Sequence, residues 1–143
     1  MRRIVEDLRP PALDELGLVA ALRVRAAQTA RRSDGARLTA TVDAPGDLPP
    51  LPAAVEVATY RIVTEALTNA VRHSTASSVV ITLLADAEFC LEVTDDGRSL
   101  GHWSPGVGIS GMHDRVAELG GRCEVGPGPA GGSVRVALPL ALA

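Results

Sequence analysis

Apolar residues recur along this chain at two periods, and the period changes from segment to segment. From Ala53 to Ser74, AAVEVATYRIVTEALTNAVRHS, the spacing is helical. Val57, Tyr60, Ile62, Val63, Leu67 and Val71 form a stripe that can face a core. The same stretch sets Glu65, Asn69 and His73 four residues apart. At about 3.6 residues per turn that series drifts only about 40° per step, so a carboxylate, an amide and an imidazole share one stripe, expected opposite the apolar one.

Ahead of this helix, Ala12 to Arg32 carries a second helical pattern. Leu13, Leu16, Ala20, Val24 and Ala27 form its apolar stripe, and Arg23, Arg25, Arg31 and Arg32 sit mostly off it. Gly17 falls inside the pattern, where glycine costs about 1 kcal/mol against alanine, so it is expected to mark close packing. Residues 1–9 read as the last turns of an earlier helix, which Pro10 and Pro11 stop because proline lacks the N–H and crowds the preceding turn. Ser33-Asp34-Gly35 ends the second helix.

The remaining segments alternate at period two. Arg37–Asp43 predicts a strand, and the proline-rich run Ala44–Pro52 leads into the long helix. Ser77–Ala85 and Glu88–Thr94 predict one hairpin, and Arg122–Val125 and Ser133–Leu138 a second. Between the hairpins, Asp95–Gly108 reads as a loop. Ile109–Leu119 reads as a short helix with Ile109, Met112, Val116 and Leu119 on one side, closed by Gly120-Gly121. Helices alternate with hairpins. The pattern therefore predicts an α+β fold, a two-layer sandwich of about five mostly antiparallel strands with three main helices on one face.

Composition narrows the possibilities. A chain of 143 residues, 46% apolar and 22% charged, is enough for one domain with its own core. A net charge of −3 with no basic run makes nucleic acid a poor partner. With Tyr60, Phe89 and Trp103 the only aromatics, base-stacking platforms are essentially excluded. No apolar run reaches the roughly 18–20 residues that span a bilayer, so the reading is a soluble, cytoplasmic polypeptide. Cys90 and Cys123 each fall in a predicted strand and read as core thiols of a reducing compartment rather than a disulfide.

Three pieces can carry chemistry. The first is the Glu65/Asn69/His73 stripe. The second is Asp95-Asp96-Gly97, directly after a strand, where a carboxylate can accept from an amino group such as that of adenine and Gly97 leaves the backbone open to a ligand. The third is Gly106-Val107-Gly108-Ile109-Ser110-Gly111, opening a helix whose N-terminus favours phosphate. Each alone has an ordinary reading: a solvated helix face, a tight turn, a glycine-rich loop. The glycines are not a dinucleotide fingerprint, because a loop precedes them, and no GK[ST] phosphate loop is present.

Together and in this order, the pieces resemble the ATP-binding domain of two-component sensor histidine kinases, within the ATPase superfamily shared with gyrase, Hsp90 and MutL (the Bergerat fold). TEALTNAVRHS resembles the family's N box, DDGRS its first glycine box and GVGISGMHDRVAELGG its second. LRPPALDELGLVAAL resembles the stretch after the phosphoacceptor helices in the NarL-type branch, and GGSVRVALPL fits the family's ending. The resemblance implies Mg²⁺ ligation by Asn69, with Glu65, one turn earlier, orienting a metal-bound water or polarising the site. It implies that Arg72 and His73 face phosphate, and that Asp95 receives the adenine amino group with Gly97 beneath the purine. Gly106, Val107, Gly108, Ile109 and Gly111 would form the phosphate cradle and lid hinge, with residues 98–105 a short lid.

The match has two departures. Ser99 stands where the first glycine box usually has a second glycine. None of His73, His102 and His113 lies in the family's phosphoacceptor context. The resemblance therefore implies a piece of a longer kinase, with residues 1–11 ending a helical linker and 12–143 forming the ATP-binding domain. It implies ATP and Mg²⁺ as ligands, and as partners a separate dimerisation and phosphoacceptor domain and a response regulator. The piece itself would be monomeric and the whole protein a homodimer. An alternative on the same fold is a free-standing protein-serine kinase of the anti-sigma-factor type, which the LRPPALDELGL segment disfavours.

Overall fold

The computed structural model describes residues 9–46, 48–97, 107–127 and 132–140, with the side chains of His73, residues 107–110 and Pro127 outside the description. Residues 1–8 of the expected first helix, the expected lid at 98–105 with Ser99, His102 and Trp103, and Gly106 of the expected phosphate cradle lie outside the described residues.

In chain order the elements are α1 (Pro11–Leu16), α2 (Leu18–Gln28), β1 (Thr39–Asp43), α3 (Ala53–His73), β2 (Ser78–Ala85), β3 (Glu88–Asp95), α4 (Val107–Glu118), β4 (Arg122–Pro127) and β5 (Gly132–Pro139). The strands form one sheet in the order β1-β2-β3-β5-β4. β1 runs parallel to β2, and the other three pairings are antiparallel. The predicted α+β sandwich is therefore present. α2 lies against β1, α4 against β4, and α3 packs between those two helices over β2, β3 and β5. No helix among the described residues is long and apolar enough to cross a membrane.

Among the described residues, the helices cover one face of the sheet. Val79, Ile81 and Leu83 on β2, Phe89, Leu91 and Val93 on β3, and Val134, Val136 and Leu138 on β5 alternate inward and are buried. The intervening residues point away, leaving Val80 and Leu84 exposed. Cys90 is one of these outward residues and is exposed, which corrects its expected place in the core. Its neighbour across β5 is Ala137, which in turn faces Arg122 on β4, so Cys123 belongs to the opposite face. Both thiols are free.

Two expectations about the first helix fail for one reason. Gly17 adopts φ +81°, a left-handed conformation that breaks the helix into α1 and α2. Nothing lies within 4 Å of where its β-carbon would be, so the glycine serves backbone conformation and not close packing. The break also resets the helical phase. The buried stripe becomes Leu18, Ala21, Leu22 and Ala26, while Leu16 and Val24 end 47% and 45% exposed. The helix stops at Gln28, short of Arg32. Arg9 ties this region to the central helix, its guanidinium bonding both Asp14 and Glu56.

α4 begins at Val107, two residues ahead of the predicted start, and ends at Glu118, one residue before the predicted Leu119. Gly120, at φ +78°, closes it: the Gly121 N–H donates to Val116 O and the Gly120 N–H to Ala117 O. A β-carbon on Gly121 would come within 2.4 Å of Ala137 O, so the helix end is seated directly on β5.

Candidate functional site

The central helix buries Val55, Ala58, Thr59, Ile62, Val63, Ala66, Leu67 and Ala70. This is an i, i+3, i+4, i+7 pattern built partly from alanines, which the sequence-based stripe of larger residues omitted. Val57, Tyr60 and Val71, expected in the core, only pack against its margin. The polar stripe is consequently not opposite the core. At about 100° per residue, Asn69 lies only about 20° from Ala58 and Ile62 around the axis. Glu65 and Asn69 are half-buried at the border of the packed face, and Arg72 is exposed. Neither Glu65 nor Asn69 makes a side-chain hydrogen bond among the described residues, whereas Thr64 and Thr68 donate back to the helix carbonyls of Tyr60 and Thr64.

The end of β3 is fastened to the start of β2, just after the chain leaves α3. Asp96 Oδ1 accepts from the Ser77 and Ser78 N–H groups at 2.9 and 3.0 Å, and Oδ2 accepts from the Ser77 hydroxyl at 2.9 Å. These bonds hold the Asp96 carboxyl below its ordinary range. Gly97 follows, buried against the chain that leaves α3. A β-carbon there would fall 2.2 Å from Ala76 N, 2.6 Å from Ala76 Cα and 2.7 Å from the Thr75 carbonyl carbon. Only glycine fits, for reasons of space.

Asp95, half-buried, uses one oxygen internally. Its Oδ1 accepts from the Gly97 N–H at 2.9 Å and from the Gly132 N–H at 3.1 Å. Gly132 is itself constrained, since a β-carbon would come within 2.6 Å of Asp95 Oδ2. Two glycine N–H groups thus hold the carboxylate by one oxygen, and among the described residues no N–H or O–H donates to Oδ2. A carboxylate fixed in this way presents an acceptor to an amino group. The role of Gly132 was not anticipated. Its only signal in the sequence is the glycine-rich run GPGPAGG, which reads as an ordinary hairpin loop.

Of the third piece, Val107, Gly108 and Ile109 form the first turn of α4, and Gly111 lies inside the helix, exposed, with nothing within 4 Å of its missing β-carbon. Nothing described in the chain requires glycine there, although glycine weakens a helix by about 1 kcal/mol against alanine. The open position and the unpartnered Asn69, Glu65 and Asp95 Oδ2 are features a ligand can use. A cleft of about 380 Å³ lined by Leu18, Val19, Arg23, Leu48, Leu51 and Glu56, among others, lies elsewhere. It touches the first turn of α3, about 20 Å along the helix from Asn69, and holds none of the predicted site residues.

Residues 54–142 match the family model described as histidine kinase-, DNA gyrase B-, and HSP90-like ATPase. The chain belongs to this ATPase family. The matched part starts with α3, so α1, α2 and β1 precede it. Over 97% of its length the domain is 31% identical to the sensor histidine kinase MctS of Rhizobium johnstonii, covering 31% of that protein. It is likewise 31% identical to the sensor histidine kinase NarS of Mycobacterium tuberculosis, over 98% of this chain and 33% of the relative. The chain thus spans about a third of the length of these curated relatives. Among solved structures, the histidine kinase domain of the blue-light activated histidine kinase from Erythrobacter litoralis superimposes with a TM-score of 0.62 at 25% identity. That superposition covers 86% of this chain and 61% of the other. The ATPase domain therefore has its fold and its family in common with the catalytic parts of sensor histidine kinases.

Proposed function

We propose that this domain binds ATP with magnesium and donates the γ-phosphoryl group to a histidine on a separate dimerisation domain of the same kinase, for relay to a response regulator. The observation that carries the reading is Asp95: one oxygen held by two glycine N–H groups, the other left to accept, beside a glycine packed on the chain that leaves the helix bearing Asn69. Asp95 Oδ2 is the acceptor for the adenine amino group, and Gly97 underlies the ring.

Asn69 is the magnesium ligand. A hard ion that keeps several waters needs few protein oxygens, and an unpartnered amide beside Glu65 suits it. Magnesium, when bound, neutralises phosphate charge. Glu65 would orient a water of that ion or polarise the site, and Arg72 and His73 would face the phosphates. Gly106, Val107, Gly108, Ile109 and Gly111 cradle them at the start of α4, where free N–H groups and the helix dipole favour an anion. Catalysis is then mainly positioning and charge neutralisation. Residues 1–11 form the end of the linker from the acceptor domain, and 12–143 the ATP-binding domain. The domain works in the cytoplasm as a monomeric unit of a homodimeric kinase.

Calorimetry with Mg·ATP tests this. The chain should bind nucleotide, and Asp95→Asn and Asn69→Asp should each abolish measurable binding while leaving the fold intact by circular dichroism. With [γ-³²P]ATP alone, the chain should acquire no acid-labile phosphohistidine. Absence of nucleotide binding by the wild type would sink the proposal.

A further inference from the structure

We infer that Arg32 is a positioning residue for the adenine end of the nucleotide site, acting through the backbone of Ala76, on which Gly97 rests. The inference rests on the nucleotide reading above and extends it to a side chain outside all three motifs.

Arg32 lies in the turn between α2 and β1, far in sequence from the site. Its side chain is nevertheless only 15% exposed. All three guanidinium nitrogens are used. Nε and Nη2 donate to the two Asp34 oxygens at 3.1 and 2.8 Å, and Nη1 donates to Ala76 O at 3.1 Å. Asp34 is itself held, since its Oδ1 also accepts from the Ala36 N–H. A bidentate pair of this kind fixes the guanidinium plane, so the third donor arrives at Ala76 with a set direction. The same turn makes a second attachment, with the Ser33 N–H donating to Val71 O in the last turn of α3. The helix that carries Glu65 and Asn69 thus has its outgoing chain held by this turn.

Gly97 contacts the same residue one peptide earlier, at the nitrogen and Cα that precede this carbonyl. Ala76 N and Cα are the atoms a Gly97 β-carbon would strike first. Ala76 therefore sits between Arg32 and Gly97, and its N–H is fixed as well, donating to Ser74 Oγ. Because protein interiors are close-packed, displacement of a peptide in such a contact is passed to its neighbour. Gly97 in turn donates its N–H to Asp95 Oδ1. The sequence of contacts is Arg32, Ala76, Gly97, Asp95, and it ends on the carboxylate proposed to read the base.

The test compares ATP with inosine triphosphate, which has an oxo group where adenine has its amino group. Wild type should prefer ATP, because the Asp95 carboxylate only accepts and inosine presents an oxo acceptor where adenine has its amino donor. Arg32→Met removes both attachments while keeping an unbranched stem. Its ATP affinity should fall about tenfold, the scale of one charge-assisted hydrogen bond. The ATP-over-inosine-triphosphate ratio should shrink with it. Arg32→Lys, able to reach Ala76 O with one donor, should lie nearer wild type than Arg32→Met on both measures. Titrations run at a temperature where circular dichroism shows every variant folded. An unchanged ATP affinity in Arg32→Met overturns the inference. So does an equal loss for both nucleotides with the ratio preserved, which is the signature of mere destabilisation. A wild type that binds neither nucleotide overturns the nucleotide reading itself, and the role of Arg32 falls with it.

Discussion

Gly97 rests on Ala76 so closely that a β-carbon would fall 2.2 Å from the Ala76 nitrogen. The contact is backbone on backbone, so neither side can yield by changing a rotamer. Gly97→Ala should destabilise the domain by about 2 kcal/mol or more, the scale of overpacking in a tight interior. Urea unfolding measures this through a lowered midpoint. Nucleotide affinity of the still-folded fraction should fall as well, because the Asp95 carboxylate hangs on the same N–H.

Gly17→Ala distinguishes the conformation of Gly17 from its helical sequence context. A glycine inside a continuous helix would gain stability on becoming alanine. At φ +81° the substitution instead forces an L-residue into the left-handed region, at a cost of about 1–2 kcal/mol, although nothing crowds the new methyl. A lower melting temperature is expected, and a higher one would mean that α1 and α2 form one helix.

Asp96 links stability to acid. Its folded pKa lies below the ordinary 3.8, chiefly through the Ser77 N–H and then the Ser77 hydroxyl. A depressed carboxylate contributes stability that is present above the unfolded pKa and is lost as pH falls through the folded one. The urea midpoint of wild type should therefore decline as pH falls below about 5 and through the depressed folded pKa. Asp96→Asn should start lower at neutral pH and decline less over that window. The difference is small, because the carboxylate faces solvent. Parallel pH profiles would show that the three hydrogen bonds carry no charge-dependent stability.

The two thiols should react at different rates. Cys90 is exposed on the outer face, whereas Cys123 is half-buried and its thiol is pushed up, first by burial and then by Glu124. Since the thiolate is the nucleophile, a chromogenic disulfide reagent at pH 7.5 should modify Cys90 about tenfold faster or more. Cys90→Ser should remove the fast phase and leave the slow one.

Strand and helix positions were legible because alternation and 3.6-residue spacing follow directly from which face is buried. β2 and β3 came out within a residue of their predicted limits. The break between α1 and α2 is invisible in the sequence because Leu16, Val24 and Ala27 keep helical spacing across Gly17, and spacing cannot reveal a left-handed φ. Cys90 was misplaced because hydrophobicity does not say which face of a strand is covered. The part of Gly132 in holding Asp95 depends on the register of β5 against β3, with Ser133 opposite Thr94. Arg32 was hidden for a related reason: its partner is a carbonyl oxygen, and backbone acceptors have no letter in a sequence.

The seat of Gly121 on β5 has a mechanical corollary. With its C-terminal end immobilised, α4 can change direction only by turning about Gly120, and its N-terminal turn is the part that travels. For twelve residues at about 1.5 Å each, one degree of inclination moves Val107 by about 0.3 Å. A few degrees would thus carry that first turn through an ångström.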